Sequence, residues 1–199
     1  MADTGAPWNI PFAEPADLVR DWPGLSEDVA DAVAAGLSAA GNAGIGSNVV
    51  QTVKTNTFTT TSTTFVNVTG LSVTITPSSS SSLILVILDI AMQTLSEDDQ
   101  ASFTRLAVGN TPLYVGDVEG SRVPALASSV TFPSAPTNRY PQTRTGVFLH
   151  NPETTSPVTY NAQTRASEGT ALINRSRGDD NNVRTGRYAS SITAIEVAA

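Results

Sequence analysis

"TFTTTSTTFVNVTGLSVTITPSSSSSLILVILDIAM", residues Thr57–Met92, holds the decision about the fold. From Phe65 to Thr76 apolar and polar residues alternate, with Val66 and Val68 on one face and Leu71, Val73 and Ile75 following a step at Gly70. Period-two alternation is the mark of a strand with one face in a core, and the step predicts a bulge at Gly70. Pro77 and Ser78–Ser82 read as a turn. The run Leu83–Met92 then has no polar residue before Asp89. Together the two runs are expected to form a hairpin, the first strand facing solvent with threonine and the second buried on both faces. In a two-layer protein a strand of the second kind meets the core with one face and a second subunit or a covering segment with the other. Ile84, Val86, Leu88 and Ile90 are the candidate set for a subunit interface.

The rest of the body, residues 48–199, repeats this short-strand rhythm. Strands are expected at 49–54, 57–64, 102–108, 112–115, 130–132, 145–150, 158–165, 171–174 and 191–197. Turn signals such as Gly109-Asn110, Gly116-Asp117, Asn151-Pro152 and Glu168-Gly169 separate them. Many short strands with frequent turns indicate an antiparallel β-sandwich or jelly roll and exclude a parallel α/β sheet.

Ahead of the body lie three shorter regions. Residues 1–24 form an extended arm, since Pro7, Pro11, Pro15 and Pro23 deny it a continuous helix or a central strand. Trp8, Ile10, Phe12 and Trp22 make this arm a candidate anchor, burying aromatic and aliphatic side chains in a partner protein. Residues 25–40 read as a short helix, with Ser26 as N-cap and Glu27, Asp28 and Asp31 complementing the dipole of the first turns. Its stripe of Leu25, Val29, Val33 and Leu37, with small residues between, is narrow, and a helix of this length is marginal alone. It is therefore expected to oligomerise with its copies. Residues 41–47, "GNAGIGS", are a glycine-rich hinge.

The net charge of −7 belongs mostly to these N-terminal regions. Residues 1–48 carry seven acids and one base, giving −6, whereas residues 49–199 carry eleven acids and ten bases, giving −1. A nucleic-acid partner is not expected, because it would require a basic face. The longest apolar run is too short for a bilayer, which needs ~20 residues, so no membrane insertion is expected. The N-terminus has neither a basic nor an apolar leader region, so no secretory signal is expected. Cysteine is absent, which removes disulfides and thiolate metal sites.

Motifs that carry chemistry are also missing. His150 is the one histidine, there is no Gly-x-Ser-x-Gly and no phosphate loop. Glu97-Asp98-Asp99 and Asp179-Asp180-Asn181-Asn182 offer oxygen ligands without the spacing of a calcium loop, and read as solvated loops. A carboxylate pair for glycoside hydrolysis can lie far apart in sequence, so that class stays open at this point. No metal, no cofactor and no enzyme activity are expected.

"VVQTVKTNTFTTTSTTFVNVTGLSVTITPSSSSSLILV" (Val49–Val86), "RLAVGNTPL", "GDVEGSR" and the closing "SSITAIEVAA" resemble a β domain of tailed-bacteriophage tail-fibre and minor tail proteins. The opening "APWNIPFAEPADLVRDWPGLSEDVADAVAAGL" is similar to the N-terminal pieces of the same proteins, especially in phages of actinobacteria. The resemblance implies a virion component: a homotrimer with an N-terminal segment attached to other tail or capsid proteins and a β head pointing outward. It implies a short tail fibre or tail-tip spike, with a head fibre, decoration or collar protein as the alternative. It transfers no catalytic residue. Three-fold symmetry would make weak contacts with host-surface glycans multivalent, and Tyr114, Tyr140, Tyr160 and Tyr188 are the candidate glycan-contacting residues.

Overall fold

A computed structural model describes residues 2–3, 11–12, 27–36, 48–95, 100–130, 141–183 and 185–197. In the arm, β1 (Ala2–Asp3) and β2 (Pro11–Phe12) pair antiparallel, and a helix, α1, spans 27–36. The body is built from β3 (Val49–Lys54), β4 (Phe58–Thr60), β5 (Val66–Ile75), β6 (Leu83–Leu95), β7 (Ala101–Val108) and β8 (Thr111–Leu113). It continues with β9 (Ala127–Val130), β10 (Gln142–His150), β11 (Val158–Ala166), β12 (Thr170–Ile173) and β13 (Ser190–Val197).

Several of these strands are halves of longer ones. β12 and β13 lie end to end along one edge of β6, Ile173 opposite Met92 and Ser191 opposite Asp89. β4 and β3 follow them on the next position outward. β8 and β9 likewise share one edge of β7, separated by the excursion 114–126. Counting each of these three pairs as one strand leaves eight strands from β3 to β13. The first sheet then runs first–eighth–third–sixth in chain order, as β3/β4, β12/β13, β6, β10. The second runs second–seventh–fourth–fifth, as β5, β11, β7, β8/β9. Two interleaved Greek keys of this order make a jelly roll.

The core lies between the sheets. From the first come Ile84, Val86, Leu88, Ile90, Ile192 and Ala194; from the second, Val68, Leu71, Val73, Ile75, Leu106 and Tyr160. Gly70, at φ +79°, sits in an irregular stretch of β5. Ser72 pairs with Asn161 but Asn67 with Gln163, so the extra residues let Val68 and Leu71, three apart, both face inward. The bulge is where the alternation breaks.

Two expectations need correction. β5 and β6 are not a hairpin: they belong to opposite sheets, and Pro77–Ser82 carries the chain across the end of the sandwich. Ile84, Val86, Leu88 and Ile90 are each 0% exposed inside the chain's own core, so they present no surface to a second subunit. The run Leu83–Met92 is apolar on both faces, but its other face is the outward one.

Candidate subunit interface

β6 holds the centre of the first sheet, with β13 on one side and β10 on the other. Its inward parity is fixed by Ile84 through Met92 in the core, which turns Leu83, Leu85, Ile87 and Asp89 outward. The registers align these with their neighbours into rows. Val49, Ile195, Leu85 and Leu149 form one row across four strands. Gln51, Thr193, Ile87 and Val147 form the next, then Val53, Ser191, Asp89 and Thr145. Val197 opposite Leu83 extends the apolar end. Val49, Val53, Val147 and Leu149 are 51%, 55%, 58% and 47% exposed, while Leu83, Leu85, Ile87, Ile195 and Val197 are half-buried.

This is a face of nine aliphatic side chains with Asp89 at one margin, where its carboxylate accepts a 2.8 Å hydrogen bond from Thr145 Oγ1. Four strands ~4.8 Å apart and seven residues along β6 span roughly 15 by 20 Å. A patch of roughly 300 Å² is at the lower end of what the largest apolar patch reaches on a typical monomer, about 300–600 Å², and such patches are often functional.

The opposite outer face has different chemistry. On the second sheet Thr74 and Thr159 share a 2.7 Å hydroxyl–hydroxyl hydrogen bond. Arg105 Nε donates to Gln163 Oε1 at 2.8 Å, and Gln163 Nε2 donates to Asn67 Oδ1 at 2.8 Å. Polar side chains that satisfy one another across strands suit solvent. Among the described residues the aligned aliphatic rows are on the first sheet, while the second carries polar pairs on its open part.

No family model matches the sequence, and no curated protein matches it either. Among solved structures the chain is similar to the crystal structure of the infectious bursal disease virus VP2 subviral particle. The TM-score is 0.39 at 10% identity, covering 75% of this chain and 32% of that one. It is also similar to the T13 IBDV viral particle, with a TM-score of 0.32 at 10% identity over 76% of this chain and 35% of the other. The chain thus spans about a third of the length of both.

The other sequence-predicted residues are distributed as follows. In α1, Val29 is half-buried and Val33 is 41% exposed. Trp8, Ile10, Trp22, Leu25, Leu37 and Tyr140 lie outside the described residues, as does the side chain of Phe12. Tyr160 is a correction: it is 0% exposed, its ring in the core and its hydroxyl 2.8 Å from His150 Nδ1, so no glycan can reach it. Burial pushes the Tyr160 hydroxyl well up from its ordinary value, with Tyr114 adding to the shift, and burial lowers the His150 pKa. Tyr114, at φ +50°, is exposed and stacks on Phe148 with ring centroids 4.7 Å apart. Tyr188 is half-buried. Tyr114 follows β8 and Tyr188 precedes β13, strands of different sheets.

A buried carboxylate pins the apolar end of the first sheet. Glu196 of β13 is 1% exposed and accepts from Ser78 N at 2.7 Å, Ser78 Oγ at 2.6 Å and Asn48 Nδ2 at 3.1 Å. Burial pushes its pKa up, but the hydrogen bonds from Ser78, Ser82 and Asn48 outweigh this and hold it at about 2. It ties the start of β3 and the β5–β6 crossing to the last strand, holding Val49, Leu83 and Val197 in register.

Proposed function

We propose that this chain is a structural protein of a phage virion, a jelly-roll head that assembles as a homotrimer through the outer face of its first sheet. The observation that carries the assembly is the apolar rows centred on Leu85 and Ile87, set against the hydrogen-bonded polar face of the second sheet. A standard interface buries ~800 Å² per partner, so a face of roughly 15 by 20 Å is its apolar centre, with a polar rim beyond. The virion setting and the tail location rest on the resemblance of the sequence to tail-fibre and minor tail proteins. Within that setting the chain is a short tail fibre or tail-tip spike contributing to host-surface attachment. The arm, with Trp8, Ile10, Phe12 and Trp22, attaches it to other virion proteins, and α1 adds a second contact between copies. Tyr114 and Tyr188 remain the accessible aromatic candidates for host glycans.

No reaction is assigned. Among the described residues no three His, Cys, Asp or Glu side chains gather as a metal site, and His150 is engaged with Tyr160.

Immunogold labelling of intact virions tests the location. Gold at the tail tip supports the spike; gold on the head replaces it with a head fibre or decoration protein; no gold on virions overturns the virion reading.

A further inference from the structure

The excursion 114–126, which separates β8 from β9, covers the outer face of the second sheet at one end and closes a groove of about 370 Å³. Its floor is Phe65 and two arginines from neighbouring strands, Arg105 of β7 and Arg165 of β11; Val118, Arg122 and Pro124 are among the residues of its loop wall. The loop's own carboxylates, Asp117 and Glu119, do not line it. Valine and proline supply five of its twelve lining residues and arginine three, with the guanidinium groups of Arg105 and Arg165 at the floor.

The arginines are the unusual part. Arg105 sits over Phe65, its guanidinium carbon 4.1 Å from the ring centroid, and its Nε donates to Gln163. Arg165 Nε donates to the backbone carbonyl of Ala166 at 3.3 Å. Among the described residues neither has a carboxylate partner. Arg122 pairs with Glu119 only at 3.8 Å, with both side chains well exposed. Partly buried guanidinium charge beside apolar surface favours a partner that brings carboxylates and apolar side chains together.

The sequence contains a segment of this composition. Residues 13–26, "AEPADLVRDWPGLS", carry Glu14, Asp17 and Asp21 against Arg20, with Leu18, Val19 and Trp22 between them. Pro15 and Pro23 favour extended backbone there. Fourteen residues reach about 45 Å when extended, enough to cross to a neighbouring molecule. Each chain holds one such segment and one such groove, so in a closed ring every groove is filled by the arm of the next copy.

We propose that the groove at Arg105 and Arg165 receives residues 13–26 of a second copy, carboxylates on the guanidinium groups and Trp22 against the valine and proline wall. This rests on the assembly reading above. It takes Trp22 out of the virion-anchoring set and leaves Trp8, Ile10 and Phe12 there.

The natural chain has no cysteine, so thiol cross-linking is unambiguous. Full-length A16C and full-length S121C, one of them isotope-labelled, are mixed, allowed to exchange subunits and treated with a flexible bismaleimide. The expected product is the mixed A16C–S121C covalent dimer, several-fold above either homodimer, weakened at 1 M salt and reduced about tenfold by R105Q with R165Q. Because Arg105 touches Phe65 and Gln163, R122E serves as the fold-neutral check and also lowers the yield. Equal yields of all three dimers, or a yield indifferent to the arginines, overturns the proposal. Light scattering on the same samples separates the two readings. A trimer without the mixed link overturns the docked arm alone, whereas a monomer overturns the assembly as well.

Discussion

Glu196 shows how one residue sets behaviour that charge counting would miss. Its folded pKa, about 2, lies below the ordinary carboxylate value of 4.5. Its contribution to stability is therefore fully present above pH ~4.5 and is lost as the pH falls towards 2. Glu196→Gln should destabilise the chain by about 1–3 kcal/mol at pH 7, since it removes a buried charged acceptor from several donors. Denaturant unfolding at pH 7 and pH 3 should show the gap between the two proteins narrowing at the lower pH; a constant gap would mean that the carboxylate is not held ionised. Asn174 is a second such residue. At φ +62° it ends β12, donates from Nδ2 to the Lys54 and Asn56 carbonyls and accepts from Ser190 Oγ, bridging the break shared by two composite strands. Asn174→Ala should lower stability by about 2–3 kcal/mol, by lost hydrogen bonds and strain at positive φ, read as a lower denaturation midpoint. Neither role is legible in the sequence, because both depend on partners 16 to 148 positions away.

At the scale of the element, β6 is where the sequence was most informative and also misleading. Its composition marks it as a strand apolar on both faces, and the structure agrees. Composition does not say which parity faces inward. Asp89 was the available signal: it shares a parity with Leu83, Leu85 and Ile87, and a carboxylate is rarely turned into a core. That parity is outward, and its exposed neighbours Val147 and Leu149 come from β10, known only once the strands pair. Leu88→Ala should cost about 2–5 kcal/mol as a core cavity. Leu85→Ala should cost much less in the isolated chain and act mainly on association. Parallel unfolding and native-mass measurements on the two variants check this, and equal unfolding costs would contradict the parity argument. Turn residues set the bounds of strands such as β3, β11 and β13 within a residue or so, but β4 is shorter than 57–64, β9 begins ahead of 130 and β10 begins ahead of 145, where no turn residue marks the edge. Sequence cannot separate a β5–β6 hairpin from the observed crossing, because a tight turn between strands looks the same whether they pair or cross between sheets.

For the whole molecule, the strand count and antiparallel class followed from rhythm, but the jelly-roll order did not. That order is set by non-local pairings such as β3 with β13 and β5 with β11, which leave no local trace. The outer faces of the two sheets then divide the work, one apolar and one hydrogen-bonded. The central claim is that the apolar face joins copies of this chain. Native mass of the full-length chain beside Val147→Asp tests it most directly. Val147 is exposed, so in a monomer the change should be nearly silent, while at an apolar interface it places an unpaired charge in the contact. The account predicts a trimer for the natural sequence and a shift towards monomer for the variant at the same micromolar concentration, with unchanged secondary structure. A natural chain that is monomeric, or a variant that stays trimeric, would contradict it.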